Sequence, residues 1–295
     1  MEHDSTVKVI FEELLERYRA LEECRDDIWA AFVLLRESYS GNGKLLLCGN
    51  GGSCADCGHI VGELMKGFIR RRTLSEDKKA ALRIAANAVS ATNAVSAANA
   101  VSALNADGAL NADGAGSART ASTADVKSTA GVAGVANITS GADAIRTAGS
   151  GATCTTGGAD ASWAAVMGDT LANELQGSLR AISLCEQAAL NTAFSNDIRP
   201  SLIYAQQVQA LGDPGDVLLG ISTSGQAENV CYALIAARAA GMAGIGLTGA
   251  GGGRMASLCD VIIRVPATRT YEVQEYHLPI YHALCAMLES HFFYR

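Results

Sequence analysis

The chain is 295 residues long with a net charge of −7, so no electrostatic attraction draws it toward DNA, RNA or anionic lipid. Hydrophobic residues make up 49% of it, but much of that is alanine and aromatics are only 5%, so the usable core is smaller than the total suggests. No apolar stretch approaches the ~20 residues of a membrane span, residues 1–6 are polar with no apolar run behind them, and an odd number of scattered cysteines, nine, makes no disulfide framework; the cytoplasm is the expected compartment.

In chain order, Val7 to Ala20 places Val7, Ile10, Phe11, Leu14 and Leu15 on one stripe and predicts a helix, and Ile28 to Leu35 predicts a second. Gly41-Asn42-Gly43 breaks the pattern. Lys44 to Cys48 then reads as a short buried strand, followed at once by Gly49-Asn50-Gly51-Gly52-Ser53 and a helical pattern to about Phe68. Arg70-Arg71-Arg72, the dense basic cluster, reads as a solvated helix end rather than a phosphate contact. From about Arg83 to Gly168 the composition shifts to Ala, Gly, Ser, Thr and Asn, with Asn87, Asn93, Asn99, Asn105 and Asn111 at a period of six. These imperfect copies lack the large apolar residues that would fill a parallel β-helix, and the segment reads as a low-complexity insertion. The expected division is residues 1–82 and 169–295 as two parts of one domain, with 83–168 inserted between them.

Beyond the insertion, Ala188 to Phe194 is read as a strand or strand entry ending at Ser195-Asn196-Asp197, and Leu202 to Leu211 as a helix. Asp216 to Ile221 is a buried strand, Glu228 to Ala240 a helix, and Ala243 to Leu247 a strand that ends in the Gly-rich turn Thr248 to Gly253. Val261 to Val265 is a further strand, and a last helix runs to about Phe293. Short apolar strands alternating with helices predict an α/β fold with a doubly wound parallel sheet. Ligands of such sheets sit beyond the carboxyl ends of the strands, the edge assigned to every polar loop here.

Two strand-to-helix junctions share one chemistry: Gly49 to Ser53, and Ser222-Thr223-Ser224-Gly225. Glycines admit a ligand close to the backbone, a following helix offers unpaired N–H groups, and successive hydroxyls donate to phosphate oxygens without a lysine. Neither junction has the lysine of a P-loop, and Cys54 stands where a dinucleotide fingerprint needs glycine. His59 and Glu63, four residues apart, share a helix face and suit one metal ion. Gln274 and His282 would lie ~12 Å apart on an ideal helix, too far for one ion unless Pro279 distorts the segment, long side chains converge or subunits share the site. His277 and Tyr281 could equally be site residues or packed, satisfied core residues, and are left out of the site. Cys54-Ala55-Asp56-Cys57 could be a redox pair or half a zinc site, but small packing residues are the favoured reading.

Taken together, Cys48-Gly-Asn-Gly-Gly-Ser53, His59-x3-Glu63, Asn196-Asp197, Gly215-Asp-Val-Leu-Leu-Gly-Ile-Ser-Thr-Ser-Gly225 and Gln274-Glu-x-His with His282 eight residues on resemble the sugar isomerase (SIS) domain family, and within it the phosphoheptose isomerases. That resemblance implies a flavodoxin-like five-stranded parallel sheet, a homotetramer with intersubunit active sites, and a zinc ion. It implies His59, Glu63, Gln274 and His282 as zinc ligands, and Glu63 and His282 as the acid–base pair. It also implies a sugar phosphate site of Asn50, Gly51, Gly52, Ser53, Asn196, Asp197, Ser222, Thr223, Ser224 and Gln274. The expected reaction interconverts sedoheptulose 7-phosphate and D-glycero-D-manno-heptose 7-phosphate. Rival readings are a non-catalytic sugar phosphate-binding protein of the DnaA initiator-associating type and an N-acetylmuramic acid 6-phosphate etherase. The chain departs from the heptose pattern at Ala227, at Ala250-Gly251 and in the 83–168 insertion.

Overall fold

The computed structural model describes residues 2–89 and 156–293. These fall into two units, one built from residues up to Leu74 and from Leu175 onward, the other from Ser75 to Glu174. The first unit contains α1 (Glu2–Arg17), α2 (Arg25–Ser40), β1 (Leu45–Gly49) and α3 (Gly52–Met65). The second contains α4, described over residues 76–89, and α5 (Thr156–Glu174). Within that unit Arg83 Nε donates to Asp169 Oδ1 at 2.7 Å, and Gly168 lies against Ala86 and the Arg83 backbone. Most of the asparagine repeat lies outside the described residues.

The first unit then continues through β2 (Ala181–Ser183), α6 (Ala188–Asp197), α7 (Ile203–Leu211), β3 (Val217–Ser222), α8 (Glu228–Ala239), β4 (Ala243–Gly249), β5 (Val261–Val265) and α9 (Thr270–Phe293). Its five strands form one parallel sheet in the order β2-β1-β3-β4-β5, the flavodoxin-like arrangement. Side chains alternate across each strand, so Leu45 and Leu47 enter the core beneath α1, α2, α3 and α9, whereas Leu46 and Cys48 enter the core beneath α7 and α8. Val217 and Leu219 against Leu218 repeat this on β3. Being covered on both faces explains why these strands read as unbroken apolar runs.

One expected element is corrected. Residues 188–194 are not a strand but most of helix α6, and the edge strand is the earlier Ala181–Ser183. Ala188-Ala-Leu-Asn-Thr-Ala-Phe is alanine-rich with one β-branched residue, a composition that favours helix. None of its side chains is buried, so apolar content did not signal a core position. Asn196 and Asp197 therefore end a helix rather than a strand.

The order of strands reverses between β1 and β3, which pair in register from Leu45↔Val217 to Gly49↔Ile221. Both glycine- and hydroxyl-rich loops leave the sheet side by side at this switch point, where open α/β sheets hold their ligands. Gly225, at φ +64°, lies so close to the Gly252 carbonyl that a Cβ would meet it at 2.1 Å, so only glycine lets these two turns close.

Candidate functional site

The first station of the site is the pair of loops. Gly51 takes φ +57° and opens α3 just past the end of β1, where Ser53 N and Cys54 N donate to the Asn50 and Gly51 carbonyls at 3.1 Å. Ser53 and Ser222 are buried at the loop bases, while Asn50, Gly51, Gly52 and Ser224 are exposed at the rim. Asn50 and Asn229 exchange amide hydrogen bonds, Asn50 Nδ2 to Asn229 Oδ1 at 2.9 Å and Asn229 Nδ2 to Asn50 Oδ1 at 2.8 Å. This stitches the first loop to α8, and sequence inspection missed Asn229 because nothing local marks it. The Ser224 hydroxyl accepts from Gln226 N at 3.2 Å and shapes the second loop. Gln274 of α9 reaches the same place, its Nε2 lying 2.2 Å from where a Cβ on Gly52 would stand. The absence of a side chain at Gly52 is what admits Gln274. Asn196 Nδ2 bonds Asp197 Oδ1 at 2.9 Å, and both are exposed at the end of α6.

Two turns further along α3 is the second station. His59 Nε2 lies 3.3 Å from Glu63 Oε1 and 3.4 Å from His282 Nε2. Since Gln274 meets α3 at Gly52 and His282 meets it at His59, α3 and α9 run alongside each other in the same direction. The seven-residue step from Gly52 to His59 corresponds to about 10 Å of helix. α9 continues through Pro279 as one helix, with Pro279 buried, so the anticipated distortion does not bring Gln274 to His282. Within one chain the structure joins His59, Glu63 and His282 and leaves Gln274 with the phosphate loop.

Tyr281 belongs to this station, one of the two alternatives its sequence leaves open. Its side chain is buried, and its hydroxyl donates to Asp56 Oδ1 at 3.2 Å and meets His59 Nδ1 at 3.1 Å. An ionised Asp56 can only accept, so the Tyr281 oxygen is left to accept from His59 Nδ1–H. In the neutral tautomer with Nδ1–H, His59 Nε2 keeps its lone pair on the side of the Glu63 carboxylate. Burial raises the Asp56 pKa, with Tyr281 and His59 opposing. Burial, then the neighbouring His59, holds the His282 imidazole below its ordinary value, with Glu63 opposing. His277 is packed but not satisfied: neither ring nitrogen makes a well-formed hydrogen bond, and burial pushes its pKa down to about 4.

Whether these side chains suit a metal can be tested on their geometry. Among the described residues no group of three or more His, Cys, Asp or Glu side chains is arranged as it stands to hold a metal ion. Yet neighbouring ligands on a tetrahedral ion with bonds of about 2.0–2.1 Å stand roughly 3.3–3.4 Å apart. The His59–Glu63 and His59–His282 separations match two such edges. Electron-rich atoms that close are relieved by a shared cation. Glu63 Oε2 is also buried without a hydrogen bond, with Lys66 Nζ at 3.6 Å as an ion-pair partner. The two separations are compatible with a cation shared by His59, Glu63 and His282.

Comparison with known proteins adds to this geometry. The SIS domain family profile matches residues 142–249. Phosphoheptose isomerase of Rhodospirillum rubrum is 45% identical over 127 residues, which are 41% of this chain and 68% of that protein. Phosphoheptose isomerase of Nitratidesulfovibrio vulgaris strain Hildenborough is 50% identical over 116 residues, 39% of this chain and 55% of that protein. The alignments thus span about half to two thirds of the curated relatives. Among solved structures, phosphoheptose isomerase from Neisseria gonorrhoeae superposes with TM-score 0.54 at 23% identity, covering 97% of this chain and 98% of that one. At that identity the likeness establishes the fold.

Proposed function

The chain belongs to the family of SIS-domain phosphoheptose isomerases, and on that premise we propose that it interconverts sedoheptulose 7-phosphate and D-glycero-D-manno-heptose 7-phosphate. The observation that carries the proposal is one helix with an anion cradle at its start and the His59–Glu63–His282 group two turns on. The α3 N–H groups with Ser222, Thr223 and Ser224 hold the phosphate. Each such donor to a charged oxygen contributes roughly 1.5–3 kcal/mol, so a few give ordinary metabolite affinity without a lysine.

The reaction moves a carbonyl between C1 and C2 of the sugar through an enediol. Glu63 removes the proton from carbon, and His282, its imidazole kept mostly neutral, carries protons between the two oxygens. A zinc ion held by His59, Glu63 and His282 would polarise the substrate carbonyl. The proposed assembly is a homotetramer with active sites between subunits. The proposed compartment is the cytoplasm; among the described residues no helix is long and apolar enough to cross a membrane.

Purified protein incubated with sedoheptulose 7-phosphate is expected to form the aldose, to lose that activity on chelation, and to regain it with zinc. No product under any of these conditions would overturn the assignment and favour a sugar phosphate-binding role. Tyr281→Phe removes the acceptor for His59 Nδ1 and the donor to Asp56. Groups that orient a metal-ligating histidine typically matter by about 10–100-fold in metal affinity or activity. The variant is therefore expected to retain less zinc at equal free metal, read as metal per protein after dialysis, alongside a lower kcat.

A further inference from the structure

Helix α6 carries Asn196 and Asp197 at its carboxyl end yet buries none of its side chains. Leu190 is 40% exposed, and Asn191, Phe194 and Ser195 are only half-buried. Apolar burial therefore contributes little to holding this helix in place. Two amides do the holding instead. Gln207 of α7 is 1% exposed, and its Nε2 donates to Asn191 Oδ1 at 2.8 Å and to the Leu184 carbonyl at 2.9 Å. The Ile203 carbonyl, one turn back on α7, lies 3.2 Å from the same nitrogen. Asn191 Nδ2 in turn reaches the Cys185 carbonyl at 3.2 Å and the Leu184 carbonyl at 3.4 Å, both in the turn Leu184–Glu186 after β2.

We propose that Asn191 and Gln207 are positioning residues, an amide pair that seats α6 on the turn after β2 and so sets Asn196 and Asp197 at the rim of the sugar phosphate site. This rests on the isomerase reading only in taking Asn196 and Asp197 as substrate contacts.

The orientation of the Gln207 amide is fixed by its surroundings. Turned over, it would set an oxygen against three acceptor oxygens with no hydrogen between them. As it stands, Gln207 Oε1 is buried without a partner. An apolar residue of the same shape would fill the space without that unpaired acceptor, so packing alone does not account for glutamine here. The base of the anchor is rigid, because Tyr204 and Val208 of α7 are packed in one core cluster with Leu184. Asp197 lies six residues beyond Asn191, less than two turns of helix, so a shift at the anchor is carried to the end of α6. The chain leaving α6 runs on to the loops of the site. Arg199 Nη2 lies 3.9 Å from Glu228 Oε1, and the adjacent Asn229 exchanges hydrogen bonds with Asn50.

The test compares the full wild-type chain with Asn191→Ala and Gln207→Met, by amide hydrogen exchange and by kinetics on sedoheptulose 7-phosphate. Alanine is the better helix former, so Asn191→Ala removes the anchor without weakening the helix itself. Amides of residues 188–197 are expected to exchange about tenfold faster in both variants, as for the loss of two hydrogen bonds, while α3 and α9 keep wild-type protection. KM is expected to rise by a similar factor with kcat nearly unchanged, a split that general destabilisation would not produce. Wild-type exchange across α6 in Asn191→Ala would overturn the proposal, and so would a faster-exchanging α6 with unaltered KM. Gln207→Met alters the core; should it fail to fold, Asn191→Ala decides alone. Should the wild type form no product, the isomerase reading falls, and the anchoring of α6 is decided by the exchange rates.

Discussion

Glu63→Gln is expected to lower kcat by at least about a hundredfold, the usual contribution of a positioned acid–base group, while KM changes little. The substitution keeps the shape of the side chain and removes its capacity to take a proton from carbon. It leaves the loops untouched, since the cradle lies about 16 Å back along α3. The helix end is also held independently of the side chain, because Arg72 Nη2 donates to the Glu63 backbone carbonyl at 2.9 Å. A steady-state comparison of wild type and variant on sedoheptulose 7-phosphate separates the two parameters. Near-normal turnover would remove Glu63 from the proton-transfer role; a large rise in KM with unchanged kcat would reassign it to binding.

Glu289→Gln is expected to destabilise the fold by about 3–5 kcal/mol, the range for leaving a buried charge without its partner. Arg72 and Glu289 are 0% and 2% exposed and meet at 2.7 Å. Arg72 Nη1 also donates to the Leu64 carbonyl at 2.6 Å, and Glu289 accepts from the Phe68 and Ile69 amides at 2.8 and 2.9 Å. The pair thus closes the carboxyl end of α3 and the chain leaving it against α9. Burial alone would raise the Glu289 pKa, but the Phe68 amide, Arg72 and the Ile69 amide outweigh it and the net shift is downward. A carboxylate lowered in the folded state contributes stability that is complete above its unfolded pKa, near 4.3, and lost as pH falls through the folded value. Urea denaturation at stepped pH should show wild type losing this contribution in acid and the glutamine variant lacking that part of the loss. Equal stability at pH 7 would show that the buried pair is not holding the helix end.

Arg72 also shows where sequence reading stops. Within Arg70-Arg71-Arg72 it looked like one of three solvated charges; its burial depends on Glu289, 217 residues away, which no local pattern announces. The strands β1, β3 and β5 were legible because each is a short run of large apolar residues bounded by turns. β2 was not, because three residues, Ala-Ile-Ser, carry no period. The loops at Gly49 and Ser222 could be read from glycine and hydroxyl content, and His59 with Glu63 from helical spacing. What stayed hidden were partners supplied by other elements: Tyr281 for His59 and Asn229 for Asn50. Gln274 and His282 could be placed 12 Å apart on paper, but only the packing of α9 along α3 shows that each end of that interval has its own neighbour.

That side-by-side course of α3 and α9 makes the helix pair a gauge of substrate length. Under the proposed activity, with the phosphate held at Gly52, the fixed interval to Glu63 and His282 would bear on how many carbons can intervene. A shorter sugar phosphate anchored the same way would hold its carbonyl farther from the carboxylate, so helix rise would contribute to the choice among sugars.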